Sequence, residues 1–96
     1  MSDSDYLEIE KETVSSLHFP HEEVIIDSDA KLKERKAAVE RAITLGNLEH
    51  QKVKIYFADE VGKKMVHTTI WAVTDTAIVL KKNVILPINR IIKLEI

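Results

Sequence analysis

Two hydrophobic periods divide this chain near residue 50. In AKLKERKAAVERAITLGN, which follows Asp29, the apolar residues Leu32, Val39, Ala42 and Ile43 recur at helical spacing. Ser28 or Asp29 suits the capping position of such a helix, and Gly46 suits the left-handed residue that ends one, so the pattern predicts a helix between them. Lys31, Lys33, Arg35, Lys36 and Arg41 against Glu34 and Glu40 then make its outer side net basic.

From Gln51 the period shortens to two. In VKIYF, Val53, Ile55 and Phe57 alternate with Lys54 and Tyr56; ADEVGKK follows as a hairpin loop and MVHTTIWAV as a longer β-branched run. TDT and KKN read as turns on either side of AIVLK, and VILPI and IIKLEI close the chain. Five strands with short connections after one helix predict a mostly β, α+β domain over residues 29–96, a five-stranded, strongly bent antiparallel barrel. Pro87 has no N–H to give a ladder, so it belongs at the end of the fourth strand, with Ile88, Asn89 and Arg90 turning the chain. Ile92, Leu94 and Ile96 then share one face of the last strand, and Lys93 and Glu95 the other.

Residues 1–28 show no sustained period, yet they hold Tyr6, Leu7, Ile9, Leu17, Phe19 and the run Val24, Ile25, Ile26. That content predicts an arm that docks in part, with EEVIIDSD adding one extended strand to a sheet edge, its own before a partner's.

Charge sharpens this division. Residues 1–29 carry nine acids against Lys11 alone, a net of −8, while the remaining 67 residues carry thirteen bases and seven acids, a net of +6. An acidic arm before a basic body suits a body that meets a polyanion and an arm that screens it; the plainer reading is a solvated tail. A chain of 96 residues makes one modest core. It has no cysteine, no basic start leading into an apolar stretch, and no run near the roughly 20 apolar residues of a membrane span. A cytoplasmic protein with no membrane partner is expected.

Catalytic chemistry has little to build on. Gly46 and Gly62 are the only glycines, which excludes a glycine-rich phosphate loop, and Ser15 and Ser16 lie near His18 without an oxyanion scaffold. His18, His21, Glu22 and Glu23 offer four potential zinc or nickel ligands within six residues, but structural sites draw on well-separated ligands, and Pro20 interrupts these. No enzyme, cofactor or metal is expected. His50 and His67 suit surface or interface roles. Trp71 is assigned to core or subunit packing, and Tyr56 is placed on the outward parity of its strand as the better stacking group.

The helix followed by KVKIYF, a loop with Gly62, TIWAVTD, AIVLKKN and LPINRIIKL resembles the Sm-like fold, in particular bacterial RNA chaperones of the Hfq type, from about Asp29 to Ile96. The resemblance implies a ring formed by pairing of edge strands, with RNA against its faces. Tyr56 stands where that family has an aromatic that stacks on adenine, and Asp75 matches the acid of the turn before its third strand. The sequence departs from the pattern at Ile88 and Asn89, or Asn89 and Arg90, where the family has a lysine and histidine that contact uridine. It departs again at Ala77 for an aromatic, at Asn47, Leu48 and His50 for an arginine-rich rim, and at Thr68 or Thr69 for a glycine.

These readings lead to a non-catalytic small-barrel binding protein that self-associates. In the first version it meets RNA through Tyr56, Lys52, Lys54, Lys81, Lys82, Arg90 and Lys93. In the alternative it is a protein-binding adaptor that uses its edge strands or Val24, Ile25 and Ile26.

Overall fold

A computed structural model describes residues 6–49 and 51–96, the side chains of residues 45–49 excepted. Asp3, Asp5 and His50 therefore lie outside the described residues. The arm contributes β1 (Leu7–Glu8) and a single helical turn, α1 (Lys11–Val14); the long helix α2 is Asp29–Glu49. Six strands follow: β2 (Val53–Ala58), β3 (Lys63–Thr68), β4 (Ile70–Val73), β5 (Ala77–Leu80), β6 (Val84–Pro87) and β7 (Ile91–Glu95). They form two sheets of order β1-β3-β2-β7 and β4-β5-β6, neither closed into a barrel. The chain is mixed α+β.

The predicted long second strand divides at Thr69. Thr68, Thr69 and Ile70 are buried in succession, which breaks period-two alternation and lets the run leave one sheet and enter the other. The Thr69 carbonyl then accepts from the Lys81 N–H at 3.1 Å. Pro87 ends β6 as expected, and a 3-10 turn, Ile88–Arg90, redirects the chain into β7.

Four expectations need correction. The helix runs through Gly46 to Glu49, because one glycine costs only about 1 kcal/mol against alanine, too little to end a helix anchored by buried Val39 and Ala42. Its N-terminus behaves as expected: Ser28 Oγ accepts from the Lys31 N–H at 3.3 Å. Arg35 is buried, not on the outer side; three residues after Leu32 and four before Val39, it falls in the apolar stripe.

The arm's strand is Leu7–Glu8, not Val24–Ile26. It pairs in parallel with β3, Leu7 opposite Lys64 and Glu8 opposite Met65, and the Ile9 N–H donates to the Met65 carbonyl at 2.9 Å. The Val24–Ile26 run stays irregular because Glu23 turns back to accept from the Ile25 N–H, and Asp27 takes a left-handed φ of 58°. In β7 the register shifts opposite Tyr56 and Phe57, so Ile91 is the residue driven into the core, while Leu94 packs against it and Ile96 is exposed.

The core joins Val39 and Ala42 of α2 to Val53, Ile55 and Phe57 of β2, to Ile78 and Leu80 of β5, and to Leu86 and Ile91. The arm belongs to it. Val14 is fully buried there, Ile9, Leu17 and Phe19 pack against it, and the Phe19 and Phe57 rings lie 5.9 Å apart.

Candidate binding cleft

The register of β2 sets Tyr56 between Met65 of β3 and Lys93 of β7, and Lys54 between His67 and Glu95. Period two therefore puts Tyr56 on the outer side of the sheet, as the sequence implied. It is nonetheless 1 % exposed. The arm covers it: Tyr6 meets the Tyr56 ring edge-on, with centroids 4.8 Å apart and planes at 70°. Lys93 Nζ sits 4.7 Å from the Tyr56 centroid, the Tyr56 hydroxyl donates to Glu95 Oε2 at 3.0 Å, and Lys63 Nζ lies 5.8 Å from the Tyr6 ring. The expectation of an open stacking platform is thus corrected by Tyr6. Its one sequence signal was its place among the apolar residues of the arm, one position ahead of β1.

Beside this face lies a cleft of about 450 Å³ between the arm, the start of α2 and β7, an end strand of its sheet. Val24, Ile25, Ile26 and Ile92 supply apolar walls, Tyr6 one flank, and Lys31, Lys63 and Lys93 three cationic side chains. The sequence had placed the hydrophobic triplet and Lys93 in separate candidate sites. The fold brings them together.

A polar clamp holds the triplet in place. Arg35 donates from Nη1 to Glu23 Oε2 at 2.7 Å and to the Ile91 carbonyl at 3.0 Å, and from Nη2 to Glu23 Oε1. The Arg35 hydrogen bond, helped by the Ile25 N–H, outweighs the opposing effect of burial and holds the Glu23 carboxyl below its ordinary range. One residue on, the Val24 N–H donates to the Asn89 carbonyl at 2.8 Å, and Asn89 Nδ2 donates to the His21 carbonyl at 2.7 Å. Arg90, placed by the sequence among the RNA-binding residues, binds backbone: Nε donates to the Ala58 carbonyl at 3.0 Å and Nη1 to the Glu22 carbonyl at 2.8 Å. The turn Ile88–Arg90 is the hub that fixes the arm to the sheet.

The remaining predicted residues scatter. Lys52 is exposed ahead of β2 and Lys54 half-buried within it, whereas Lys81 and Lys82 are exposed in the turn joining β5 and β6 of the other sheet. Glu12 lies below its ordinary pKa through its own backbone N–H and Lys11, and Lys82 adds a smaller attraction. Trp71 is exposed rather than packed in the core, and Asp75 is exposed in its turn. Among the described residues no group of three or more His, Asp or Glu is placed to hold a metal, and no helix is long and apolar enough to cross a membrane. No family model, curated protein or solved structure matches this chain.

Proposed function

We propose that the protein is a non-catalytic binding module that receives an extended, acidic segment of a protein partner in the cleft beside β7. One observation carries the reading: an end strand, an apolar wall and three lysine side chains border a single cleft. A strand added at a sheet edge gains main-chain hydrogen bonds, alternate side chains gain apolar contact, and acidic residues between them meet the lysines. The adaptor reading is therefore placed ahead of RNA binding, since Tyr56 is covered and Arg90 is engaged with backbone carbonyls.

The strand order supports a further reading, that the two sheets are halves of one bent, Sm-like barrel. β2 to β6 follow one another as an antiparallel meander turned at Thr69, and β7 returns to pair with β2. RNA remains the second reading because Lys54 and Lys93 flank Tyr56 on the face that the acidic arm covers. A polyanion there would displace the arm.

One titration separates the two. Fluorescent peptides alternating Val or Ile with Glu, and mixed-sequence single-stranded RNA, are each titrated into the full chain at two salt concentrations. The adaptor reading expects peptide binding that weakens about 10-fold or more in Lys31→Glu/Lys93→Glu, equivalent to roughly 1.4 kcal/mol. RNA binding that falls steeply with salt, with no peptide binding, would replace it with the second reading.

A further inference from the structure

The outer face of β4-β5-β6 is apolar at every position. A bulge places both Trp71 and Ala72 opposite Val79, Val79 stands opposite Ile85, and Ala77 opposite Pro87. None of these six residues is polar. Trp71 is 45 % exposed and Ile85 60 % exposed, although the opposite face already fills the core with Ile70, Ile78, Leu80, Val84 and Leu86. An antiparallel sheet with one face on the core ordinarily turns polar residues to water on the other. A sheet apolar on both faces has a second surface to bury.

The ends of this patch differ in charge. Asp75 lies in the turn that leads into β5, and that turn is fixed by the Thr74 hydroxyl, which accepts from the Thr76 and Ala77 N–H groups at 3.3 and 3.0 Å. Lys81 and Lys82 lie in the turn that leaves β5, where Lys82 and Asn83 take φ values of 66° and 62°. Asp75 thus stands at one end of the apolar face and Lys81 and Lys82 at the other, where Glu12 lies near Lys82. Two copies packed face to face about a two-fold axis across the strands set each acidic end on the partner's basic end.

Extension through the neighbouring edge is poorly served. The Ile88 N–H donates to the Thr76 carbonyl, so the register turns Leu86 and Val84 toward β5 and leaves Ile85 and Pro87 facing outward. Pro87 has no N–H, and Ile85 alone supplies a donor along that edge.

We infer that the outer face of β4-β5-β6 is a self-association surface, closed by a second copy in a two-fold, face-to-face dimer with Val79 near its centre and Trp71 beside it. The interface shares no residue with the lining of the β7 cleft.

Trp71 is the single tryptophan of the chain and reports on the interface directly. The full chain is followed by light scattering and Trp71 emission over roughly 10 to 500 µM, the range in which a modest interface assembles. The expected result is a rise from 11.0 kDa toward twice that mass, with a blue shift of the emission. Ile85→Glu should keep the monomer's circular dichroism and lose both changes. Asp75→Lys and Lys81→Asp/Lys82→Asp should each weaken the dimer about 10-fold or more, and their combination in one chain should restore it, because the exchanged ends again meet opposite charge. A monomer throughout the range, a larger ring, or a dimer indifferent to Ile85→Glu would overturn the inference, as would charge reversals that fail to compensate.

Discussion

Removing the Glu23 side chain tests whether the arm is held by its clamp or merely rests on the body. In Glu23→Ala the Arg35 guanidinium, 8 % exposed, keeps only the Ile91 carbonyl as a described partner. Breaking a fully buried ion pair from one side costs about 3 to 5 kcal/mol. The Glu23 side chain is 35 % exposed, so water can enter where it stood. The expected loss is therefore smaller, about 2 to 3 kcal/mol, close to the worth of one hydrogen bond to a charged group plus partial desolvation. For a domain of this size that lowers Tm by about 10 to 20 °C.

Urea unfolding of four proteins completes the test: the natural chain, Glu23→Ala, Arg35→Met and the double variant. Arg35→Met keeps an apolar side chain in the stripe but takes one donor from the Ile91 carbonyl and the charged partner from Glu23, at a cost of about 1 to 3 kcal/mol. Once Arg35 is gone, Glu23 still accepts from the Ile25 N–H, so its removal there costs only about 1 kcal/mol. The double variant should then lie about 1 to 2 kcal/mol above the sum of the singles. Additive losses, or a Glu23→Ala cost below about 0.5 kcal/mol, would refute the reasoning and place the arm's anchorage elsewhere.

Further expectations follow from the same geometry. Acid titration of stability should show a loss as pH falls through the carboxylate range: folded-state pKa values below the ordinary 4.5 for Glu23 and 3.8 for Asp59 give stability present above those values and lost beneath them. Burial works against the Asp59 charge, but Lys64 at 2.9 Å and the Gly62 and Val61 N–H groups outweigh it; in Glu23→Gln/Asp59→Asn that acid limb should flatten, and an unchanged limb would discard the assignment. Asp59→Ala should cost about 2 to 3 kcal/mol in urea unfolding, since it takes the shared acceptor from the Val61 and Gly62 N–H groups of the hairpin loop and the ion-pair partner from half-buried Lys64. Gly62→Ala should be neutral or stabilise by up to about 1 kcal/mol, because a Cβ there meets nothing within 4 Å; a loss of that size would contradict the loop geometry.

Periodicity made the body legible and left the arm obscure. The alternation of Val53, Ile55 and Phe57, the turns at TDT and KKN, and Pro87 at a strand end all report local constraints, which sequence carries directly. The division at Thr69 was harder to read because both sides of the break are β-branched and both stay buried. Arg35 misled for a different reason: by composition an arginine on a helix belongs outside, and only its spacing from Leu32 and Val39 placed it within the stripe. For the cleft, the hydrophobic triplet and Lys93 stood out singly. Their meeting depends on Asn89 and Arg90 binding backbone carbonyls of residues 21 and 22, contacts 68 positions apart that no local pattern encodes.

The arm's charge had suggested a screen over a basic surface, yet its anchoring is mostly apolar and backbone-mediated. Val14 enters the core, β1 extends β3, and the Ile88–Arg90 turn grips residues 21–24. Of its acids, Glu23 joins that anchoring through Arg35. Because the arm lines the β7 cleft while the apolar outer face belongs to β4-β5-β6, the two proposed surfaces draw on different sheets. A two-fold pair built on one leaves both copies of the other open. Two clefts in one particle turn a second binding event into an intramolecular one, so a partner with two acidic segments would be held about 10²-fold or more tightly than one with a single segment, with no new contact. On this reading, Trp71 affects binding of a bivalent partner through valency, and Lys31 and Lys93 affect it through contact.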